Sequence, residues 1–178
     1  MAGKVIWITG LSGSGKTTLA LQLTSILRGK EKAIVNLDGD ILRKTLLDPK
    51  KEKQSYTAND RRQLAQQYGR LCKLISDQGF WVLIATISLF REVHAWNRQN
   101  ISNYFEVFLD VPMAELRRRD TKGIYRAFSN NGNGNIVGLD LKFDKPVSPD
   151  WHEKFDETRS SELVAQDLAG IFSSRGWL

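Results

Sequence analysis

The 178-residue sequence predicts an α/β fold in which a mostly parallel sheet lies between two layers of helices. Short apolar runs alternate with helical patterns along the chain, and no internal repeat is visible. The third apolar run, 80–85, is almost continuously apolar, as strands covered by helices on both faces are. We therefore expect one domain over residues 1–178, built around a single buried core.

The predicted elements follow one another in a regular order. Apolar runs rich in β-branched or aromatic residues predict strands at 5–9, 33–37, 80–85 and 104–110. Helical patterns occur at 18–23, 41–47, 57–79, 91–100, 113–119 and 158–173, with Thr57 and either Ser160 or Ser161 as N-caps. The Pro- and Lys-rich segment 48–55 predicts a loop. The Ser- and Asn-rich segment 129–135 and the turn-rich segment 136–149 predict a flexible lid at residues of about 120–150.

A glycine-rich segment separates the first predicted strand from the first helix. Its sequence, Gly10-Leu11-Ser12-Gly13-Ser14-Gly15-Lys16-Thr17, fills every fixed position of the P-loop pattern G-x-x-x-x-G-K-[ST]. Glycines allow successive N–H groups to turn toward a phosphate at the positive end of the helix. Lys16 should reach the β- and γ-phosphates of ATP, and Thr17 should ligate Mg²⁺. We therefore predict a three-layer P-loop NTPase fold with these cofactor-binding residues: Gly10, Ser12, Gly13, Ser14, Gly15, Lys16, Thr17 and Thr18.

Charged residues beside the predicted strands and helices supply candidates for catalysis. Asp38 and Asp40 follow the second strand, at the edge of the sheet where α/β folds place their ligands. We expect them to hold the magnesium shell and to receive a substrate proton, although either could be the proton acceptor. Arg118 or Arg119 can meet phosphate charge as an arginine finger, or belong to a solvated helix face. The catalytic candidates are Lys16, Asp38, Asp40 and Arg119, and the metal candidates are Thr17 and Asp38.

Composition narrows the choice of partners and location. The net charge is +6, but Lys and Arg are spread along the chain except at 50–53 and 117–119. No aromatic residues interleave with these basic runs, so a polyanionic small substrate explains the charge and no nucleic-acid partner is expected. The single cysteine, Cys72, excludes an internal disulfide and predicts a packed thiol. No signal peptide or membrane-length apolar run is visible, so we expect a cytoplasmic protein without membrane contact.

Several segments together resemble the adenylylsulfate kinases, in order and at similar spacings. They are Thr9 to Lys16, Leu37-Asp38-Gly39-Asp40 with Arg43, Asp60-Arg61, Ile87-Ser88, Arg91, Arg119 to Tyr125, and Gly138-Leu139-Asp140. The resemblance spans almost the whole chain. It implies a homodimeric kinase of sulfate assimilation that transfers phosphate from MgATP to the 3′-hydroxyl of adenosine 5′-phosphosulfate. It also implies that Arg43 and Arg61 hold the 5′-anionic group and that Lys122 contacts bound nucleotide. The full set of substrate-binding residues is then Asp40, Arg43, Arg61, Ile87, Ser88, Lys122, Ile136 and Gly138.

The departures from the family pattern lie on the acceptor side. Ile136 stands where the family has a phenylalanine that stacks on the purine, Leu64 replaces an asparagine, and Gln66-Gln67 replaces a basic pair. The family's Ile-Ser-Pro-Tyr-Arg segment is Ile87-Ser88-Leu89-Phe90-Arg91 in this chain. Our first hypothesis remains an adenylylsulfate kinase. The alternative is the same 3′-phosphorylation of another nucleotide-linked acceptor, such as cytidine diphosphoramidate in capsule biosynthesis. Kinases of sugars or antibiotics, and a non-enzymatic nucleotide-binding module, are the remaining alternatives.

Overall fold

The computed structural model describes residues 3–30, 32–47, 57–120, 122–131 and 136–178. Its strands are β1 (Lys4–Gly10), β2 (Ile34–Asp38), β3 (Trp81–Thr86), β4 (Tyr104–Asp110) and β5 (Trp151–Lys154). Its helices are α1 (Lys16–Arg28), α2 (Gly39–Leu46), α3 (Ala58–Asp77), α4 (Arg91–Asn100), α5 (Met113–Arg119), α6 (Ile124–Asn131) and α7 (Ser161–Ser174). The predicted loop 48–55 and positions 132–135 of the predicted lid lie outside the described residues.

The sheet runs in the order β2-β3-β1-β4-β5 through the described part of the chain, and every neighbouring pair is parallel. In the central strand, Val5 lies opposite Val82 on one side and Tyr104 on the other. Parallel strands bring their carboxyl ends to one edge of the sheet. Gly10 and Asp38, which end β1 and β2, therefore lie along the same edge.

Helices cover both faces of this sheet. Successive side chains of β1 point to opposite faces. Ile6 and Ile8 belong to the core cluster that includes α1 and α7, whereas Val5 and Trp7 belong to the cluster that includes α3 and α4. All four side chains are fully buried, and burial of each stabilises the fold by about 2 kcal/mol. The prediction of a parallel sheet between two helical layers is confirmed.

Strand β5 and helix α6 are absent from the sequence prediction. β5 has only four residues, which alternate between half-buried and exposed, too short a pattern to distinguish from a turn. The predicted loop at 129–131 is wrong, because these residues are the last of α6. The Asp120 carboxylate accepts hydrogen bonds from the backbone amides of Tyr125 (3.2 Å) and Arg126 (2.9 Å), and thereby caps the helix. This stabilisation offsets the poor helix propensity of the Ser- and Asn-rich end.

Two expectations from composition can be compared with the structure. Cys72 is fully buried in the cluster between α3 and the sheet, and burial raises the pKa of its thiol. It is therefore a packed, protonated thiol, as predicted. None of the described helices combines the length and the apolar character that crossing a bilayer requires.

Candidate active site

The glycine-rich loop connects the buried end of β1 to the first turn of α1. At Gly10 a Cβ atom would lie 2.7 Å from both the Leu109 carbonyl oxygen and Ser14 Oγ, so only glycine fits there. Gly15 has a φ of 94°, in the left-handed region that favours glycine, and no side chain caps the helix that follows it. The N–H groups at the start of α1 are therefore available to an anionic ligand.

Lys16 lies across this loop. Its ammonium group donates a 2.7 Å hydrogen bond to the carbonyl oxygen of Leu11. Burial, together with repulsion from Lys122, lowers the pKa of Lys16 to about 8, although the carboxylates of Asp40 and Asp38 oppose the shift. A bound phosphate would favour the protonated lysine, because it adds negative charge to a site that disfavours a lone cation.

Thr17 and Asp38 link the first turn of α1 to the end of β2. The Thr17 hydroxyl donates a 2.8 Å hydrogen bond to Asp38 Oδ2. The other carboxylate oxygen accepts from the backbone amides of Asp40 (2.8 Å) and Ile41 (3.4 Å), which makes Asp38 the N-cap of α2. A hydroxyl and a carboxylate side by side are oxygen ligands of the kind that Mg²⁺ prefers. No group of three or more His, Cys, Asp or Glu suited to a metal occurs in the described part of the chain.

Asp40 faces two cations. Arg43 Nη1 lies 3.1 Å from its carboxylate, and the ammonium group of Lys122 forms an ion pair with the other oxygen. Burial favours the neutral form of Asp40, but the hydrogen bond and charge of Lys122, together with the charges of Arg43 and Lys16, lower its pKa below the usual value. Asp40 is therefore ionised at neutral pH, so its oxygens act as hydrogen-bond acceptors.

All of these groups open onto one cavity of about 830 Å³. The structure brings most of the predicted residues to its wall: Ser12, Gly13, Gly15, Lys16, Thr17, Thr18, Asp38, Asp40, Arg43, Arg61, Ile87, Ser88, Arg119 and Lys122. Four predicted residues are not in the wall: Gly10, Ser14, Ile136 and Gly138. Gly10 and Ser14 lie close to each other within the loop and do not line the cavity. Ile136 packs on the apolar cluster that contains Leu11 and Tyr125. At Gly138 a Cβ would lie 3.0 Å from Met113 Cε, so its role there is close packing.

Ser88 has an unusual backbone conformation at the edge of the cavity. Its φ is 27°, in the left-handed region that few residues other than glycine adopt, at a cost of about 1–3 kcal/mol. Two hydrogen bonds hold it there: Thr86 Oγ1 and Ser88 Oγ lie 2.8 Å apart, and Thr9 Oγ1 donates to the carbonyl oxygen of Ile87. The structure therefore fixes the Ile87-Ser88 turn directly against the strand that leads into the glycine-rich loop.

Arg119 reaches the cavity from α5, whereas Arg118 does not. The Arg119 guanidinium donates a 2.6 Å hydrogen bond to Glu115 and lies 5.0 Å from the centre of the Phe155 ring. Hydrogen bonds from Arg118 and Arg119 lower the pKa of Glu115 to about 2. Arg119 is thus held by two groups where it lines the cavity.

The cavity wall also contains residues that the sequence did not identify as a site. They include Gln63 and Tyr68 of α3, and the aromatic residue Phe143. The helical spacing of 60, 63, 64 and 67 places one face of α3 toward the cavity and is visible in the sequence. Phe143 lies in an irregular segment, where no periodic signal reveals which side chains point inward.

Comparison with known proteins agrees with this geometry. The sequence profile described as "Adenylylsulphate kinase" matches residues 2–154. The chain is 40% identical over 142 residues to a cytidine diphosphoramidate kinase of Campylobacter jejuni, covering 80% of this chain and 81% of that protein. It is 31% identical over 173 residues to an adenylyl-sulfate kinase of Gloeothece citriformis, covering 94% and 96%. The structure of the Mycobacterium tuberculosis APS kinase in complex with AMPPNP and APS superposes with a TM-score of 0.86, at 31% identity, over 97% of this chain and 98% of that one.

Proposed function

Because the chain belongs to the adenylylsulphate kinase family and is an ATP-dependent phosphotransferase acting on a hydroxyl group, we propose that it phosphorylates the ribose 3′-hydroxyl of cytidine diphosphoramidate. One observation carries the phosphoryl transfer. The P-loop lysine Lys16 and the carboxylates of Asp38 and Asp40 line the same cavity as Arg43 and Lys122. A donor phosphate and an anionic acceptor can therefore meet in one cavity.

In this reaction the acceptor's 3′-oxygen forms a bond to the γ-phosphorus of ATP, and the bond from that phosphorus to the β,γ-bridging oxygen breaks. ADP leaves with the electron pair. The hydroxyl proton passes to Asp40, whose carboxylate is ionised and is paired with the side-chain cations of Arg43 and Lys122. Asp38 is less suited to this role, because its two oxygens already accept from Thr17 and from the first amides of α2.

The protein's other charged groups act on the phosphates. Lys16 and the uncapped start of α1 bind the β- and γ-phosphates. Arg119, which lines the cavity, stabilises the negative charge that develops on the transferred phosphoryl group. Thr17 and Asp38 would hold Mg²⁺, which neutralises phosphate charge when it is bound. Arg43 and Arg61 remain our candidates for the acceptor's 5′-anionic group.

Two observations support cytidine diphosphoramidate as the acceptor. The C. jejuni kinase shares 40% of its aligned residues with this chain, against 31% to 36% for adenylyl-sulfate kinases. Among the departures from the adenylylsulfate kinase pattern, Leu64, Gln67 and Phe90 line the cavity, whereas Gln66 and Ile136 do not. Without the phenylalanine that stacks on a purine, a site loses about 1–3 kcal/mol of base stacking. A smaller pyrimidine stacks less and tolerates this loss better.

Adenosine 5′-phosphosulfate remains the second candidate, because adenylyl-sulfate kinases match this chain over more than nine-tenths of its length. The deciding experiment measures ADP release from MgATP with each acceptor in turn. We expect kcat/KM at least about tenfold higher with cytidine diphosphoramidate than with the phosphosulfate, a difference of about 1.4 kcal/mol. The reverse preference would replace the proposed acceptor with adenosine 5′-phosphosulfate and a role in sulfate assimilation. ADP release with neither would contradict the proposed function.

The remaining expectations concern the whole chain. We infer one kinase domain over residues 1–178, with the segment of about 120–150 as its lid, acting as a homodimer in the cytoplasm. Sedimentation of the purified protein tests the dimer. Limited proteolysis with and without an ATP analogue tests the lid, which should be cleaved more slowly when nucleotide is bound.

A further inference from the structure

The wall of the cavity changes in character along its length. Near the glycine-rich loop it carries the ionic groups of Lys16, Asp40 and Lys122. Along α3, beyond the charged residues Asp60 and Arg61, it presents Gln63, Leu64 and Gln67, two neutral amides on either side of a leucine. Phosphates match the ionic part, whereas an apolar surface with a few neutral hydrogen-bonding groups is typical of a pocket for a flat heterocycle.

The two amides are placed to act together. Gln63 and Gln67 are four residues apart on α3, so their side chains project from the same face, one turn apart. Both are exposed to the cavity, and neither side chain makes a hydrogen bond to another residue within the described ranges. Each carboxamide offers one acceptor oxygen and two N–H donors. Together they form an unused row of donors and acceptors along the cavity wall.

An aromatic surface lies close to this row. Phe90 and Phe143 line the same cavity, and the segments that carry them are joined by Asp144. The Asp144 amide donates to the carbonyl oxygen of Leu89 (3.0 Å), and its carboxylate accepts from the amide of Arg91 (3.1 Å). The Phe90 ring also lies 5.7 Å from the guanidinium of Arg62 on α3. These contacts hold an aromatic surface beside the helix that carries the amides.

We propose that Gln63 and Gln67 read the hydrogen-bonding edge of the acceptor's base, while Phe90 and Phe143 contact its face. This inference rests on the proposed function, because it assumes a nucleotide acceptor. A carboxamide oxygen accepts from the exocyclic amine of cytosine, and its N–H donates to the neighbouring ring nitrogen or carbonyl oxygen. The amides thereby distinguish a base with an exocyclic amine from one that lacks it.

The test compares two acceptors, cytidine diphosphoramidate and its analogue with pyrimidin-2-one as the base, which lacks only the exocyclic amine. We expect the wild-type protein to prefer the cytidine compound by about tenfold in kcat/KM, and the double variant Gln63→Met/Gln67→Met to lose that preference. Methionine keeps the length of the side chain and its helix propensity but removes the hydrogen-bonding groups. The KM for ATP should stay within about twofold of wild type, because ATP binds at the glycine-rich loop.

The matched control is Gln66→Met, a half-buried glutamine on the same helix that is not part of the cavity wall. This variant should keep the wild-type preference. A double variant that still prefers the cytidine compound by about tenfold would overturn the assignment of the amides and leave the proposed function intact. The wild type could instead use adenosine 5′-phosphosulfate. The amides are then tested by comparing this acceptor with its analogue that lacks the purine amine, so their role is decided separately from the identity of the acceptor. If no nucleotide is phosphorylated, both proposals are overturned.

Discussion

The hydroxyl of Tyr125 donates a 2.8 Å hydrogen bond to the carbonyl oxygen of Ser12, so the first turn of α6 is fixed to the glycine-rich loop. The ring is almost completely buried. Burial and the charge of Asp120 raise the pKa of Tyr125 to about 12, which keeps the hydroxyl protonated as a donor. Residues at the start of α6, 113 positions away in sequence, therefore support the loop that binds phosphate.

Replacing Tyr125 with phenylalanine should weaken this support without removing the packed ring. We expect the free energy of unfolding to fall by about 1 kcal/mol, because one hydrogen bond is lost. The KM for ATP should rise about threefold, since the Ser12 backbone is less firmly held. Urea denaturation and initial-rate kinetics measure the two effects. An unchanged KM for ATP would show that the loop keeps its geometry without α6.

Replacing Asp40 with asparagine should separate binding from turnover. The variant removes the ionised oxygen that receives the hydroxyl proton, so we expect kcat to fall at least about 100-fold. ATP affinity should stay within about threefold of wild type, as measured by calorimetry with an ATP analogue. The control is Asp77→Asn, which breaks an exposed ion pair with Lys73 far along α3 and should change neither quantity. Unaltered turnover would remove Asp40 from the mechanism.

The affinity for ATP should decline as the pH rises through about 8, where Lys16 loses its proton. The pKa of Lys16 is lowered in the free protein, so the lysine is partly neutral near and above this pH. Phosphate binds the charged form, and ATP binding is therefore accompanied by the uptake of a proton. At pH 9 we expect about tenfold weaker binding than at pH 7. Titration calorimetry in two buffers of different ionisation enthalpy measures the proton uptake. The variant Lys122→Met removes a charge that repels Lys16 and should raise the pKa of Lys16. The pH at which ATP affinity declines should therefore be higher in this variant. An unchanged pH dependence of ATP affinity would contradict the charge repulsion between Lys122 and Lys16.

Two helical glycines should respond to alanine in opposite directions. At Gly69 in α3 a Cβ would lie 2.3 Å from the buried Asn97 Oδ1, so Gly69→Ala should lower the free energy of unfolding by about 1–3 kcal/mol. At Gly170 in α7 nothing lies within 4 Å of the added carbon. Gly170→Ala should therefore raise stability by about 0.5–1 kcal/mol through helix propensity. Chemical denaturation of both variants gives the comparison, and equal effects would contradict the packing described at Asn97.

The sequence predicts those features whose causes are local. The glycine-rich loop, the span of α4 at 91–100 and the span of β4 at 104–110 all agree with the structure, because each has its own motif or unbroken pattern. Helix α6 is not predicted because its end is rich in Ser and Asn and because its anchor, Ser12, lies 113 positions away. The same limit applies to the cavity wall, which Phe143 joins from an irregular segment through tertiary packing.

Helix α7 packs against α1, which carries Lys16 and Thr17. Leu168 and Phe172 of α7 share one core cluster with Leu19 and Leu23 of α1, and all four are buried. The ribosome makes α1 long before it makes α7, so the nascent chain contains the complete phosphate-binding motif without the surface that holds its helix in place. Until the residues after 160 are made, the part of the apolar surface of α1 that packs on α7 therefore stays uncovered.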